Sequence, residues 1–364
     1  MLLEATSGGD AAGKSAFPMH AMEEPHALMA KRTGTRFSVI VPAYQAQSTI
    51  GACLAGVMTA GFSPDEILVV DDGSTDLSPN IARAFGVRVV ANETNLRPAG
   101  ARNRGVFETD GDVIFFVDAD VVIKEGVRDR LEAHFSDRSV TAAIGSYDDT
   151  PSSGSVLSDY RNLLHHHVHQ QSGGTTQTFW TGIGAVRRDN FLAAGGLRGD
   201  WENIEDVEFG LRLTASDAKV MLDPSIQGTH LKVWTARSMF QTDLYGRAVP
   251  WSKLIQARRI SVGTLNTSRR HQIAAGGLVL GAIGLLAALL WLPMIMLAFA
   301  GASIFMAAIW DFFSALRSKR GLGFALRSLP WHVLHYVAAV LGFITVMVAG
   351  IEIETKDMGP KENP

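Results

Sequence analysis

From Ile273 to Trp310 the chain runs for 38 residues without a charged side chain. A single helix of that length would span ~57 Å, against a hydrocarbon core of ~30 Å. Two passes fit better, with a tight turn near Trp291-Leu292-Pro293. Each pass would have roughly 18 to 20 residues, near the lower limit for a crossing. A re-entrant hairpin is the alternative. Leu329 to Ile351 is a second uncharged run of 23 residues, enough for one crossing. Trp331, His332, His335 and Tyr336 fall at its start, at headgroup level. The expected membrane module is 273–352, with spans at about 273–291, 293–311 and 329–351.

The flanking charges set an orientation. Arg258, Arg259, Arg269 and Arg270 precede the first run; Arg317, Lys319, Arg320 and Arg327 lie between the two runs. The positive-inside rule places both sets in the cytoplasm. The region before residue 273 is then cytoplasmic, and the tail 353–364 is outside. Residues 232–272 mix Trp234, Phe240, Leu244, Trp251 and Leu254 with basic side chains. They read as interfacial amphipathic helices, or as helices packed on the preceding domain.

That domain, expected at 36–231, alternates strands with helices. Phe37–Pro42 is an apolar strand ending at proline, followed by a polar loop. Ser48 or Thr49 can cap a helix running to about Ala60. Glu66–Val70 is a second strand, ending in Asp71-Asp72-Gly73-Ser74-Thr75-Asp76. Val87–Val90 is a third. A helix opens at Gly100-Ala101-Arg102-Asn103-Arg104-Gly105, and the strand Val113–Val117 follows. Such alternation, with polar residues at strand C-termini, predicts an α/β fold with a mostly parallel sheet and a ligand at those ends.

The last strand runs into Asp118-Ala119-Asp120. In an extended chain residues i and i+2 point the same way, so both carboxylates can face one site. Paired hard oxygen ligands suit Mn²⁺ or Mg²⁺ shared with a diphosphate.

These pieces, in this order, resemble glycosyltransferase family 2, the inverting GT-A enzymes, in a membrane-anchored branch. The matching residues are Val41-Pro42-Ala43-Tyr44, Asp71 to Asp76, Ala101-Arg102-Asn103-Arg104-Gly105 and Asp118-Ala119-Asp120. Trp180-Thr181-Gly182 through Arg187-Arg188, Gly195-Gly196-Leu197 and Ile204-Glu205-Asp206-Val207-Glu208 complete the set.

The resemblance implies a nucleotide-sugar donor, UDP-linked, and a lipid or glycan acceptor. Pro42, Ala43, Tyr44 and Asp72 would line the nucleotide, and Arg102 would lie near the base or diphosphate. Asp118 would sit near ribose or metal, and Asp120 would bind the metal. Asp206 of the Glu205-Asp206 pair would be the general base. His230, 24 positions later, would be a further metal or diphosphate contact. Asp76 reads as a cap, and Glu205, Asp206 and Glu208 also suit a solvated first helical turn.

The implied protein is an integral glycosyltransferase of a bacterial inner membrane with its catalytic domain in the cytoplasm. Two alternatives stand beside it. A polyprenyl-phosphate sugar synthase has an acceptor that is already an anion, so the Glu205-Asp206 base speaks against it. A non-catalytic scaffold would not need the metal and base carboxylates. Processive relatives carry Gln-x-x-Arg-Trp; here Arg247 and Trp251 stand at another spacing without the Gln, which favours a single transfer.

The His165-His166-His167-Val168-His169 run invites a zinc reading, because His165 and His169 share a helix face. It lacks a nearby acidic ligand, so packing or acceptor-side roles are favoured. A net charge of −3 suggests no nucleic-acid partner. The one cysteine, Cys53, excludes an intrachain disulfide. Residues 1–35 read as a disordered extension without a signal-peptide core.

Overall fold

The structure, a computed structural model, describes residues 34–349 except 152, 202 and 258–267. The expected extension over 1–33, the tail 353–364, Gly350, Ile351 and the basic pair Arg258-Arg259 lie outside the described residues.

The first half follows the expected alternation. In chain order come β1 (Phe37–Ala43), α1 (Ile50–Thr59), β2 (Ile67–Asp71), α2 (Ser78–Ala84), β3 (Arg88–Ala91), α3 (Arg97–Phe107) and β4 (Val113–Val117). Helix α3 starts three residues before Gly100, with Pro98 in its first turn. Its preset φ suits that position and its missing N–H costs nothing there. Thr49 takes the N-cap of α1, but its hydroxyl donates to the Ala46 carbonyl instead of accepting from the helix.

The second half comprises β5 (Val121–Ile123), α4 (Val127–Ser136), β6 (Val140–Tyr147), α5 (Val156–Gln170), β7 (Gly174–Thr176), β8 (Ile183–Arg187), α6 (Arg188–Ala193), α7 (Glu205–Thr214) and β9 (Lys219–His230). The sheet order is β3-β2-β1-β4-β8-β6-β9-β5, with β7 also on β9. Pairing is parallel from β3 to β4. Beyond β4 the sheet is mixed: β8 runs antiparallel to β4 and β6, while β6 and β9 are parallel. The mostly parallel sheet expected from the sequence is therefore confined to the N-terminal half.

Burial on both faces explains the unbroken apolar runs of β1, β2 and β4. Val39, Val41, Phe115 and Val117 pack with Ile50, Leu54 and Val57 of α1 on one face. The intervening Ile40, Ile114 and Phe116 join Phe179, Phe191 and Phe209 on the other.

Next come α8 (Ala236–Asp243), a π-helical turn at Leu244–Ala248, and α9 (Val249–Gln256). These are not free interfacial helices. Leu254 of α9 packs with Ile204, Val207 and Leu211 around α7, and Ala248 lies against Gly342 of the last helix.

Among the described residues, three helices are long and apolar enough to cross a membrane: α10 (Arg269–Ala288), α11 (Ile295–Arg320), which a 3₁₀ turn from Leu292 precedes, and α12 (Leu322–Ala349). The break falls at the expected Trp291-Leu292-Pro293. Helix α12 begins seven residues before the expected Leu329 and carries Pro330 within it.

Arg270 near the start of α10 pairs with Asp311 of α11 at 2.8 Å. Lys319 at the end of α11 pairs with Asp149 of the α/β domain. The two arms of the α10–α11 hairpin thus return to the same face, next to that domain. The hairpin closes on small residues, which let helix backbones approach closely in lipid. A Cβ on Gly301 would lie 2.3 Å from the Gly281 nitrogen and 2.6 Å from the Gly277 carbonyl oxygen. Gly301→Leu should therefore lower the melting temperature in detergent, by the ~1–3 kcal/mol usual for overpacking or more. Gly323→Leu, where a Cβ meets nothing within 4 Å, should not. Equal melting of the two variants would dismiss the close contact.

Candidate active site

Strand β4 ends at Val117 and β5 begins at Val121, so Asp118-Ala119-Asp120 is the turn between them. The Val121 N–H donates to the Asp118 carbonyl at 3.0 Å. The end of β9 pairs antiparallel with β5, Val121 opposite His230, and the Leu231 N–H donates to the Asp120 carbonyl at 2.8 Å. This register places His230 Nε2 3.4 Å from Asp120 Oδ2. Burial pushes the Asp120 carboxyl up, but His230 and Lys232 more than offset it and hold it below the usual carboxylate value. Tyr147, at the end of β6, stacks flat on the His230 ring at 4.4 Å and 7°.

The expectation that both carboxylates face one site rested on extended backbone. They lie in a turn, and they have different partners. Asp118 Oδ1 accepts from Arg102 Nη2 at 2.6 Å, and Arg102 Nη1 reaches Glu205 Oε1 at 3.0 Å. Arg102 is only 5% exposed. It ties the end of β4 to the start of α7. A buried arginine between two carboxylates strongly resists loss of either partner.

Glu205 is buried on Arg102, and Glu208 is buried on Arg212 at 2.7 Å. Asp206, between them in sequence, keeps part of its surface open. Its Oδ2 accepts from the Thr181 N–H at 3.2 Å and Thr181 Oγ1 at 3.4 Å; its Oδ1 accepts from the Val207 N–H at 2.8 Å. Its Oδ1 retains a lone pair for a further donor. Burial, then the adjacent Glu205 charge, pushes its carboxyl up to about 7 despite Arg102. Thr181 is placed by the pairing of β4 and β8, in which the Asp118 N–H also donates to the Gly182 carbonyl at 3.3 Å.

The remaining expected residues stand at the C-terminal edge of the parallel strands, where open α/β sheets bind ligands. Pro42 and Ala43 end β1, and Tyr44 just beyond is 55% exposed. The Asp72 N–H donates to the Ala43 carbonyl at 2.8 Å. Asp72 is buried, and its Oδ1 accepts from Asn92 Nδ2 at 2.6 Å and the Leu96 N–H at 2.8 Å, which ties down the loop before α3. Asp76 accepts from the Ser78 N–H at 3.0 Å, at the start of α2.

The histidine run docks α5 on β6. Imidazole Nδ1 of His166 meets the Tyr147 carbonyl, and that of His169 the Gly145 carbonyl, each at 2.9 Å. His165 stacks among Tyr147, Trp180 and His169. Sequence reasoning missed Tyr147, which has no local motif. It also missed the buried pair of Arg161 and Asp243 at 2.9 Å.

Residues 38–193 match Glycosyl transferase family 2. This domain belongs to glycosyltransferase family 2. Its curved, mixed sheet is the GT-A fold. Glycosyltransferase GlyG of Streptococcus pneumoniae is 33% identical over 115 residues, 30% of this chain and 38% of GlyG. The amylovoran biosynthesis glycosyltransferase AmsB of Erwinia amylovora is 34% identical over 107 residues, 28% of this chain and 35% of AmsB. The matches thus span 38% and 35% of those relatives' lengths. Among solved structures, the mannosyltransferase PcManGT from Pyrobaculum calidifontis, in complex with GDP-Man and Mn²⁺, aligns with a TM-score of 0.51 at 16% identity. The alignment covers 86% of this chain and 88% of that one. The glycosyltransferase domain and the three apolar helices therefore lie on one chain.

Proposed function

We propose that this protein is a membrane-bound, metal-dependent, inverting hexosyltransferase. It would transfer a sugar from a nucleotide donor, UDP-linked, to a hydroxyl of a lipid-linked or cell-envelope glycan acceptor. The observation that carries the reading is Asp206: an accessible carboxylate with its pKa near 7, at the family's base position. A base poised near neutral pH is what removal of a hydroxyl proton requires. The same carboxylate disfavours a polyprenyl-phosphate acceptor, which is already anionic.

Asp206 takes the acceptor's proton while Thr181 and the Val207 N–H hold its two oxygens in place. Arg102 keeps Asp118 and Glu205 occupied, so Asp206 is the free carboxylate of the pair. Pro42, Ala43, Tyr44 and Asp72 form the nucleotide side. Asp120 and His230 offer a carboxylate oxygen and an imidazole nitrogen at one point, a donor set that suits Mn²⁺ and tolerates Mg²⁺; Asp118 could contribute its second oxygen. When bound, the ion supplies positive charge opposite the departing diphosphate.

Of the basic flanks, Lys319 pairs with Asp149 and Arg320 donates to the Pro151 carbonyl, both in the α/β domain. Under the positive-inside rule this supports a cytoplasmic catalytic domain in a bacterial inner membrane. The test is release of nucleoside diphosphate from a panel of nucleotide sugars by the full-length protein in detergent with added lipid extract. Release is expected to require Mn²⁺ or Mg²⁺ and to yield a glycosylated product by mass spectrometry. No release from any donor would reject the reading in favour of a scaffold.

A further inference from the structure

A cavity of 830 Å³ joins the candidate active site to the membrane helices. It lies in the upper part of the roughly 300–1,000 Å³ range usual for small-molecule sites. Its two ends differ in chemistry. At one end are Tyr147, His165, His230 and Arg247. At the other are Gly276 and Val279 of α10 and Val340, Phe343 and Ile344 of α12. Val279 is ten residues beyond Arg269, or ~15 Å along the helix, about half of a ~30 Å hydrocarbon core. A water-soluble acceptor gives no reason for an apolar wall at that depth; an acyl chain does.

The polar end carries an unspent cation. Arg161 and Asp243 form a close pair, and His335 Nδ1 sits on Asp243 at 2.9 Å. Among the described residues, the ion-pair partner of Arg247 is the same Asp243, at 3.8 Å. Arg247 comes from the π-helical turn, a distortion often found at functional sites. Nearby, Nδ1 of His165 is buried without a hydrogen-bond partner. The catalytic end thus combines a positive charge, an unsatisfied polar atom and His230.

We propose that this cavity is the acceptor site, and that the acceptor is an anionic phospholipid with a hydroxyl-bearing headgroup. The lipid enters from the bilayer between α10 and α12, its chain lies against Gly276, Val340 and Phe343, and its phosphate meets Arg247. This rests on the glycosyltransferase reading above and names that enzyme's acceptor. Asp206 needs a hydroxyl to deprotonate, which selects such a headgroup over a bare lipid phosphate.

Native mass spectrometry of the full-length protein in detergent tests it with defined lipids. Wild type should retain one phosphatidylglycerol at least tenfold more strongly than phosphatidylcholine. Gly276→Phe, placed where a Cβ meets nothing within 4 Å, should fill the cavity and lose that lipid while melting normally. Gly323→Phe, outside the cavity, should keep it. Arg247→Gln should abolish the preference for phosphatidylglycerol over phosphatidylcholine. Equal retention by wild type and Gly276→Phe would overturn the site. Stronger retention of undecaprenyl phosphate than of phosphatidylglycerol would overturn the hydroxyl-bearing headgroup. Calorimetry of UDP with Mn²⁺ on the same wild-type preparation reports the donor site separately, so absence of UDP binding would count against the enzyme reading and not against the lipid site.

Discussion

An Asp206→Asn protein is expected to bind UDP with Mn²⁺ like wild type and to lose transfer by about 10²–10⁴-fold, the usual cost of removing a general base. The amide cannot take the acceptor's proton. Wild-type kcat/KM should rise with pH through about 7, following ionisation of this carboxyl. The same shift has a stability consequence. The folded carboxyl holds its proton up to about 7, whereas in the unfolded chain it releases it near ~3.9. Its contribution to stability is therefore full below the unfolded value and is lost as pH rises through the folded one. Asp206→Asn, neutral throughout, should melt higher than wild type at pH 8 and like it at pH 4. Near-normal transfer by the folded variant would remove Asp206 from the mechanism. A lower melting temperature at pH 8 would contradict the electrostatic account.

Asp120→Ala is expected to weaken Mn²⁺-dependent UDP binding by at least about tenfold. The carboxylate is the one beside His230, at 3.4 Å. Asp118→Ala should act differently. It strips a partner from the buried Arg102 guanidinium, so it should lower the melting temperature while leaving more of the metal dependence intact. Calorimetry with and without Mn²⁺ decides between them. Metal dependence equal in wild type and Asp120→Ala would exclude Asp120 as a ligand.

Much of the architecture was legible because it is written in local patterns. The strands at Phe37, Ile67 and Val113 are continuous apolar runs, and each ends at a polar turn, so strand ends and candidate ligands could be read together. The uncharged run from Ile273 made a hairpin the economical solution, and its break falls at Pro293. Boundaries were less legible. Helix α12 begins well before its uncharged stretch because Arg327 does not interrupt helical hydrogen bonding, and charge is not a helix stop.

The site was legible as a set of residue types but not as a set of partnerships. Asp118 and Asp120 were read as facing one site from an extended strand end, and turn geometry gave them different neighbours. Nor was it legible that Arg102 is buried between Asp118 and Glu205, 16 and 103 positions away in sequence.

What the sequence by itself determined is the α/β domain with acidic turns at its strand ends, the family it resembles, and three apolar segments after it. Each of these depends on residues within a few positions of one another. Only the tertiary structure decided that His230 stands beside Asp120, because the pairing of β5 with β9 closes a gap of more than a hundred residues. It alone showed that Arg102, from the distant helix α3, occupies Glu205 and leaves Asp206 the more open carboxylate of the pair. It alone showed the cavity between His230 and α12. Long-range register and burial set these contacts, and no local window of sequence contains both partners.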